Sequence, residues 1–456
     1  MRTLESKDKG FKQALTAILA QRHEEMVGVE AGVREIIEGV RKGGDQALIQ
    51  YTRQFDGVEI TAEAMEIPRQ AWAQASKDLD KNTRASLERA AERIASFHRH
   101  QLSRSWFDTE PGVVRGQVVR PLARAGVYVP GGKAAYPSSL LMNVIPAKVA
   151  GVREVVVLTP PSRGGINPAL MAAAELAGAD RIVLAGGAQA IAALAYGTET
   201  VPQADIIVGP GNTYVTAAKR LLYGVVMVDM VAGPSEVLVL ADGTTPARFL
   251  AADLLSQAEH DEQAWPILIT TSQEFAQQVA GEMRQLMKTL PRQEIIAPCL
   301  ERHGLIIIVK DVREGMVIAN RIAPEHLELA VADPLQWLGE VENAGSVFLG
   351  PYTPEAVGDY LGGPNHVLPT GGTARFFSPL GVEHFMKRIN ILSYSEEALK
   401  GVQEDVVRLA RLEGLEAHAR AVEVRANEKI RVRADKKIRV RAEEKAKVKE
   451  DDSDGA

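Results

Sequence analysis

Short, continuously apolar segments that alternate with glycine-rich loops and alanine-rich helical segments constrain the fold of this chain most strongly. The first series lies at 154–159, 181–185 and 205–208, and a second series follows at 237–240, 266–270, 304–309 and 345–349. Strands that are apolar on both faces are typical of parallel sheets covered by helices. We therefore predict an α/β fold with two Rossmann-like domains and parallel sheets, a helical N-terminal region and a small C-terminal helical segment.

The same pattern predicts the domain boundaries. Apolar residues at helical spacing before about residue 108 indicate helices, which we expect to pack on the second series of strands. The predicted parts are an N-terminal helical arm at 1–20, one α/β domain made of 21–112 and 236–378, another at 113–235, a C-terminal helical segment at 379–422, and a charged tail at 423–456.

Composition excludes several classes of protein. No apolar run reaches the length of about 18 residues that a membrane helix needs, and the N-terminus lacks the apolar core of a signal peptide. The single cysteine, Cys299, excludes an intrachain disulfide and a cysteine-based metal cage, and we expect it to be a packed apolar side chain rather than a nucleophile. We expect a cytoplasmic protein with no nucleic-acid or membrane partner.

The tail at 423–456 has a composition of its own. It carries 11 Lys/Arg and 9 Asp/Glu and repeats an eight-residue unit from Ala426, Ala434 and Ala442. With few side chains to bury, it is predicted to be a disordered or frayed helical tail, and the alternative is a basic interaction arm.

A predicted helix ending near Gln257 and His260 contains the first candidate metal ligands. Residues three apart share one face of a helix, so an amide oxygen and an imidazole point the same way. Such a pair suits a metal such as zinc. A solvated polar face or a core histidine would give the same pattern, so the pair alone is weak evidence.

The adjacent residues Glu325 and His326 suit general acid–base chemistry, because histidine titrates near neutrality and a carboxylate can activate water. The alternative is a plain helix start, with Pro324 at the first helical position.

Two later segments add further candidates. Asp359 and His366 lie in a segment rich in glycine and proline, which indicates a shaped functional loop. Glu413 and His418 are presented by a predicted helix turn near the end of the folded chain. Gln257, His260, Asp359 and His418 would complete a catalytic type of zinc site with open positions, although spacing does not show that they meet.

Two glycine-rich loops, Gly186-Gly187 and Gly209-Pro210-Gly211, each follow a predicted strand and open a helix. Backbone N–H groups at such helix starts bind phosphates. Neither loop has the Gly-x-Gly-x-x-Gly pattern, and no acidic residue stands at the expected distance, so turns that pack the sheet are the default interpretation.

Taken together, these segments resemble the histidinol dehydrogenase family over about residues 20–420. The matching motifs occur in family order: GVYVPGG at 126–132, GGAQA at 186–190, GPGN at 209–212, AGPSE at 232–236, SQAEH at 256–260, APEHL at 323–327, GDY at 358–360, GPNHVLPT at 363–370 and EGLxxH at 413–418.

The resemblance implies a role for each candidate. It implies zinc ligation by Gln257, His260, Asp359 and His418, and catalysis by Glu325 and His326. NAD would contact Tyr128, Gln189 and Asn212 within 113–235. The domain made of 21–112 and 236–378 would hold zinc and substrate, which would contact Ser235, His326, His366, Glu413 and the zinc ligands.

The resemblance also implies oxidation of L-histidinol to L-histidine through L-histidinal by two NAD in turn, in a homodimer whose sites are completed across the interface. Having only Cys299, outside every motif, argues against a covalent thiohemiacetal route. The tail and the segment Gly381-Val382-Glu383-His384 depart from the family pattern. One alternative is a related zinc and NAD enzyme for another small alcohol, such as a sulfonated diol. The other is a non-catalytic scaffold, which the presence of Glu325, His326 and all four candidate zinc ligands disfavours.

Overall fold

The strands are short and predominantly apolar. The structure is a computed structural model that describes residues 1–22, 28–131, 136–162, 165–230 and 233–427. In these ranges the strands are β1 (Arg2–Glu5), β2 (Trp106–Glu110), β3 (Val113–Pro121), β4 (Arg124–Tyr128), β5 (Glu154–Thr159), β6 (Arg181–Leu184), β7 (Ile206–Val208), β8 (Met227–Val228), β9 (Glu236–Ala241), β10 (Trp265–Thr270), β11 (Leu305–Ile308), β12 (His326–Ala330), β13 (Ser346–Leu349) and β14 (Met386–Tyr394).

Helices connect and cover these strands. They are α1 (Phe11–Ala20), α2 (Glu30–Asp56), α3 (Ala62–Met65), α4 (Arg69–Asp78), α5 (Lys81–Arg99), α6 (Pro137–Ala150), α7 (Pro168–Ala177), α8 (Gly187–Tyr196), α9 (Thr213–Leu222), α10 (Ala247–Ala258), α11 (Gln273–Met287), α12 (Gln293–Arg302), α13 (Val312–Ile322), α14 (Glu355–Tyr360), α15 (Glu396–Leu412) and α16 (Glu416–Asn427). None in the described ranges combines the length and apolar character that crossing a bilayer requires. The predicted tail lies outside the described residues from 428 onward.

The first sheet is parallel, with the strand order β6-β5-β4-β7-β8. Alternate residues of its strands enter two separate cores. Val155 and Val157 pack with α6 and α7 on one face, and Val156 and Leu158 pack with α2 and α8 on the other. Continuous apolar strands therefore arise because both faces are covered.

The second sheet is also parallel, with the order β1-β11-β10-β9-β12-β13. Helices α1 and α13 cover one face, and α10, α11 and α12 cover the other. Two parallel sheets with helices on both faces confirm the predicted fold class.

Two details of the sequence prediction are wrong. The segment after Pro324 is not a helix start: Ala323 adopts a left-handed backbone (φ 50°) that ends α13, and His326 then begins the central strand β12. The N-terminal helices α2 to α5 pack on the first sheet rather than the second, and α1 is the one helix of this region that the described residues place on the second sheet. Amphipathic spacing reveals a buried face but not its partner.

The chain divides into two compact units. The first comprises Met1–Ser103 with Arg120–Lys387, and the second comprises Arg104–Val119 with Arg388–Ala456. In the second unit, the three-stranded sheet β14-β3-β2, in which β2 and β3 pair antiparallel, is accompanied by α15 and α16, which pack on each other through a small apolar cluster. Several of its large apolar side chains remain exposed: Phe107, Leu392, Leu409 and Leu412.

Candidate functional site

A buried polar cluster lies at the amino ends of two central strands of the second sheet. Glu236 begins β9 and His326 begins β12, and the two strands pair with His326 opposite Val237. Glu325 immediately precedes β12, and all three side chains are buried. Since the helices on both faces exclude water here, these groups interact in surroundings of low polarity.

The backbone of Glu236 orients both predicted catalytic residues. Its N–H donates to Glu325 Oε2 (2.8 Å), and its carbonyl oxygen lies 2.9 Å from His326 Nδ1. A carbonyl can only accept, so Nδ1 carries the proton and Nε2 of the neutral ring is free to accept one. Burial lowers the pKa of His326 to about 4, which leaves the ring neutral at pH 7.

Carboxyl groups gather around this pair. Burial, followed by repulsion from Glu236 and Asp359, raises the pKa of Glu325 well above its ordinary value. Glu355, the first residue of α14, is buried too, and its pKa is raised by burial and then by Asp359, Glu325, Glu328 and Asp253. So many buried carboxyl groups are unfavourable without a compensating cation.

Three of the surrounding side chains have the spacing of a metal site. One ligand atom each of His260, Glu355 and Asp359 lies within 4.8 Å of the others. With its amide nitrogen facing Glu355, Gln257 donates to both carboxylate oxygens at 3.0 and 3.3 Å. Its amide oxygen then faces away from Glu355. Imidazole nitrogen with carboxylate and amide oxygen is a donor set that fits zinc.

The loop after α14 places His366 beside the cluster. Its Nδ1 lies 3.0 Å from the carbonyl oxygen of Asp359, and burial lowers its pKa. The neighbouring Asn365 has a structural role, because its amide nitrogen donates to the Met142 carbonyl oxygen (2.7 Å) and so links the loop to α6. Ser235 directly precedes Glu236, at the same edge of the sheet.

Glu413 and His418 belong to the second unit. They flank the turn between α15 and α16, where Gly414 has a positive φ of 74° and the Leu415 N–H donates to the Ala410 carbonyl oxygen (2.8 Å). Both side chains are exposed: Glu413 directly follows α15, and His418 lies in the first turn of α16.

A large cavity of about 1170 Å³ lies at the carboxyl edge of the first sheet. Tyr128, Gln189 and Asn212 all line it. The hydroxyl of Tyr128 accepts from the Gly187 N–H (3.1 Å), and burial raises the Tyr128 pKa to about 12. The Gln189 amide nitrogen is buried without a partner in the described chain. Asn212 caps α9 by accepting from the N–H groups of Tyr214 and Val215.

Sequence reasoning overlooked Glu355 and the part that Glu236 plays. Glu355 and Asp359 are four residues apart, a spacing that places two carboxylates on one face of a helix, so a search for such pairs would have found them. Cys299, by contrast, is buried as predicted. Its Sγ donates to the Ala264 carbonyl oxygen (3.2 Å), and burial raises its pKa to about 12.

Comparison with known proteins gives the family. A family described as histidinol dehydrogenase matches residues 19–426. The histidinol dehydrogenase of Bacillus cereus is 53% identical over 423 residues, covering 92% of this chain and 98% of the relative. That of Syntrophotalea carbinolica is 51% identical over 429 residues, covering 94% and 100%.

A solved structure agrees with these sequences. The crystal structure of histidinol dehydrogenase from Elizabethkingia anophelis superposes with a TM-score of 0.87 at 36% identity, and the match covers 93% of this chain and 98% of that one. This chain therefore belongs to the histidinol dehydrogenase family of NAD-dependent oxidoreductases.

Proposed function

We propose that this chain oxidises L-histidinol to L-histidine through L-histidinal, using one zinc ion and two NAD in turn. Family membership makes it a dehydrogenase of histidine biosynthesis. The observation that best supports the finer chemistry is the buried Glu325–His326 pair, which one backbone residue orients beside a cluster of metal-type donors.

Zinc would be bound by Gln257, His260 and Asp359, with His418 as the fourth ligand. The spacing of His260 and Asp359 and the surplus of buried carboxyl groups support a cation here. When bound, zinc would supply a Lewis acid that anchors the imidazole and amine of the substrate, while NAD would accept hydride.

His326 would act as the general base in both oxidations. Its unprotonated Nε2 takes the hydroxyl proton of histidinol in the first oxidation. Glu325, whose raised pKa makes it a stronger base than an ordinary carboxylate, then removes a proton from the water that hydrates the aldehyde. His326 returns its first proton to the aldehyde oxygen as the hydrate forms, and its free Nε2 then takes a hydroxyl proton of that hydrate in the second oxidation. Two hydrides leave, so the conversion to carboxylate is a four-electron oxidation.

NAD would occupy the cavity at the carboxyl edge of the first sheet, in contact with Tyr128, Gln189 and Asn212. The size of the cavity and the unpartnered amide nitrogen of Gln189 support this placement. The helix starts of α8 and α9 at the same edge offer N–H groups to a pyrophosphate. We accordingly propose that residues 113–235 bind NAD and that residues 236–378 hold metal and substrate.

Substrate recognition would involve Ser235, His366 and Glu413 besides the zinc ligands and His326. Glu413 has a carboxylate suited to the cationic amine of histidinol. We propose a cytoplasmic homodimer in which Glu413 and His418 complete the site of the partner subunit. The exposed apolar side chains of the second unit, such as Leu392 and Leu412, support an interface there.

The decisive experiment measures NADH formed per histidinol consumed, with purified protein, zinc and NAD. We expect a ratio near two with histidine as the product. A ratio near one would show an enzyme that stops at the aldehyde. No turnover with zinc bound would contradict the substrate, and sulfonated diols would then be tested.

A further inference from the structure

In sheets that bind nucleotides, an acidic side chain commonly follows the second strand, and the cavity proposed for NAD has none at that place among the described residues. The strand order β6-β5-β4-β7-β8 corresponds to 3-2-1-4-5, the order of Rossmann folds, with β4 as the first strand and β5 as the second. In such folds that bind NAD, an acidic residue associated with the second strand accepts a hydrogen bond from the ribose 2′-hydroxyl. Here β5 ends at Thr159 and is followed by Pro160 and Pro161.

A carboxylate from another element takes that place. Asp56, the last residue of α2, lines the cavity together with Pro160 and Pro161. A Cβ atom added to Gly186, which follows β6, would lie 3.1 Å from Asp56 Oδ1 and 2.8 Å from Pro160 Cβ. The carboxylate thus stands beside the segments that follow β5 and β6.

The Asp56 carboxylate has one unsatisfied oxygen: its Oδ2 is buried without a hydrogen-bond partner among the described residues. It also sits at the C-terminal end of α2, where the helix dipole disfavours a negative charge. Burial raises its pKa to about 6, so the group is still ionised at pH 7.5. A carboxylate that lines a cavity and has one oxygen without a partner among the described residues is suited to a ligand.

We propose that Asp56 binds the ribose hydroxyls of the adenosine half of NAD and selects NAD against NADP. A carboxylate accepts hydrogen bonds from two vicinal hydroxyl groups, whereas it repels the 2′-phosphate of NADP. Phe55, whose ring is half exposed and lines the same cavity, offers an apolar face for the adjacent adenine. The inference rests on the proposed use of a nicotinamide dinucleotide and adds the residue that chooses between the two.

The test replaces Asp56 by its uncharged isostere. In Asp56→Asn we expect KM for NAD to rise about tenfold, kcat to stay within threefold, and the ratio of kcat/KM for NAD to that for NADP to fall at least tenfold. Glu38→Gln is the matched control, because Glu38 lies on the same helix in a surface ion pair with Arg41, and we expect its selectivity to equal that of the wild type.

A measurement of cofactor binding without substrate tests the inference independently of the proposed reaction. NADH and NADPH are titrated into each variant in the absence of histidinol, and their fluorescence gives the two dissociation constants. A narrowed difference between them in Asp56→Asn supports the inference even if histidinol proves to be the wrong substrate. An unchanged NADH-to-NADPH affinity ratio, or a loss of kcat with both KM values unaltered, would overturn it.

Discussion

Two hydrogen bonds of the Glu236 backbone orient the proposed catalytic side chains, Glu325 and His326. Because its carbonyl oxygen accepts from His326 Nδ1, the opposite nitrogen of the ring remains the basic one. We expect His326→Ala to lower kcat by about a hundredfold or more while zinc content stays unchanged, as for a lost general base. Steady-state kinetics and metal analysis check this, with the exposed His100→Ala as control. Near-normal turnover in His326→Ala would remove His326 from the mechanism.

Asp56 also has a measurable effect on stability. Burial in the folded state raises the pKa of Asp56 from 3.8 to about 6, so ionisation of this group lowers the free energy of unfolding. The contribution of Asp56 to stability is fully present below pH 3.8 and is lost as the pH rises through about 6. For a fully buried group this pKa shift corresponds to about 3 kcal/mol of unfolding free energy, and the partial exposure of Asp56 reduces the loss to about 1 kcal/mol. We expect cofactor-free Asp56→Asn to be more stable than the wild type by this amount at pH 8 and equal to it near pH 4. Urea unfolding at pH 4 and pH 8 measures both free energies of unfolding. A variant that is less stable than the wild type at pH 8 would contradict the assignment of Asp56 as a buried, incompletely paired carboxylate.

At the scale of elements, the start of β9 depends on a buried ion pair. Glu236 Oε1 lies 3.2 Å from Arg22 Nε and accepts from the Gly371 N–H. Removing one charge leaves the other buried and unpaired, so Glu236→Gln should cost about 3 kcal/mol of unfolding free energy. The double variant with Arg22→Met should lose less than the two single variants added together. Additive losses in urea titrations would show that the pair is not coupled.

The end of α10 and the short helix α14 supply the proposed metal ligands. We expect His260→Ala to lose zinc at a chelator concentration that leaves the wild type loaded, because only two of the proposed ligands of the first unit remain. Metal analysis after dialysis is the measurement, again with His100→Ala as control. Full retention of zinc by His260→Ala would remove His260 from the ligand set.

Which elements could be predicted depended on how uniform their burial is. Strand β10 is buried along its whole length and β5 from Val155 onward, and both were predicted from their apolar runs. Strand β12 was missed because His326 and Glu328 interrupt its apolar pattern, and these polar groups are tolerated only where β9 and α14 provide partners. At the site, the motifs led to His260 and Asp359. That Glu355 joins them, and that the Glu236 backbone orients His326, depends on tertiary packing that no local pattern encodes.

For the whole molecule, the proposed shared sites can be tested by complementation. A heterodimer of His326→Ala and His418→Ala has both defects in one site and none in the other. If subunits mix freely, half of the dimers are mixed, so about a quarter of all sites should be active. Each variant alone should be nearly inactive. Activity is measured after joint refolding, and a mixture no more active than its parents would place His418 in the site of its own subunit.

Cys299 is the sole thiol of the chain and is buried beside Ala264, so we expect the wild-type protein to react very slowly with maleimides and thiol-specific spin labels. A reporter can therefore be introduced without first removing native cysteines. Val317→Cys, on a side chain of α13 that is 65% exposed, would provide one addressable probe per subunit. Pulsed electron paramagnetic resonance between the two probes of the proposed dimer would then give a distance between subunits, and a change in that distance on adding NAD or histidinol would report a movement of one subunit relative to the other.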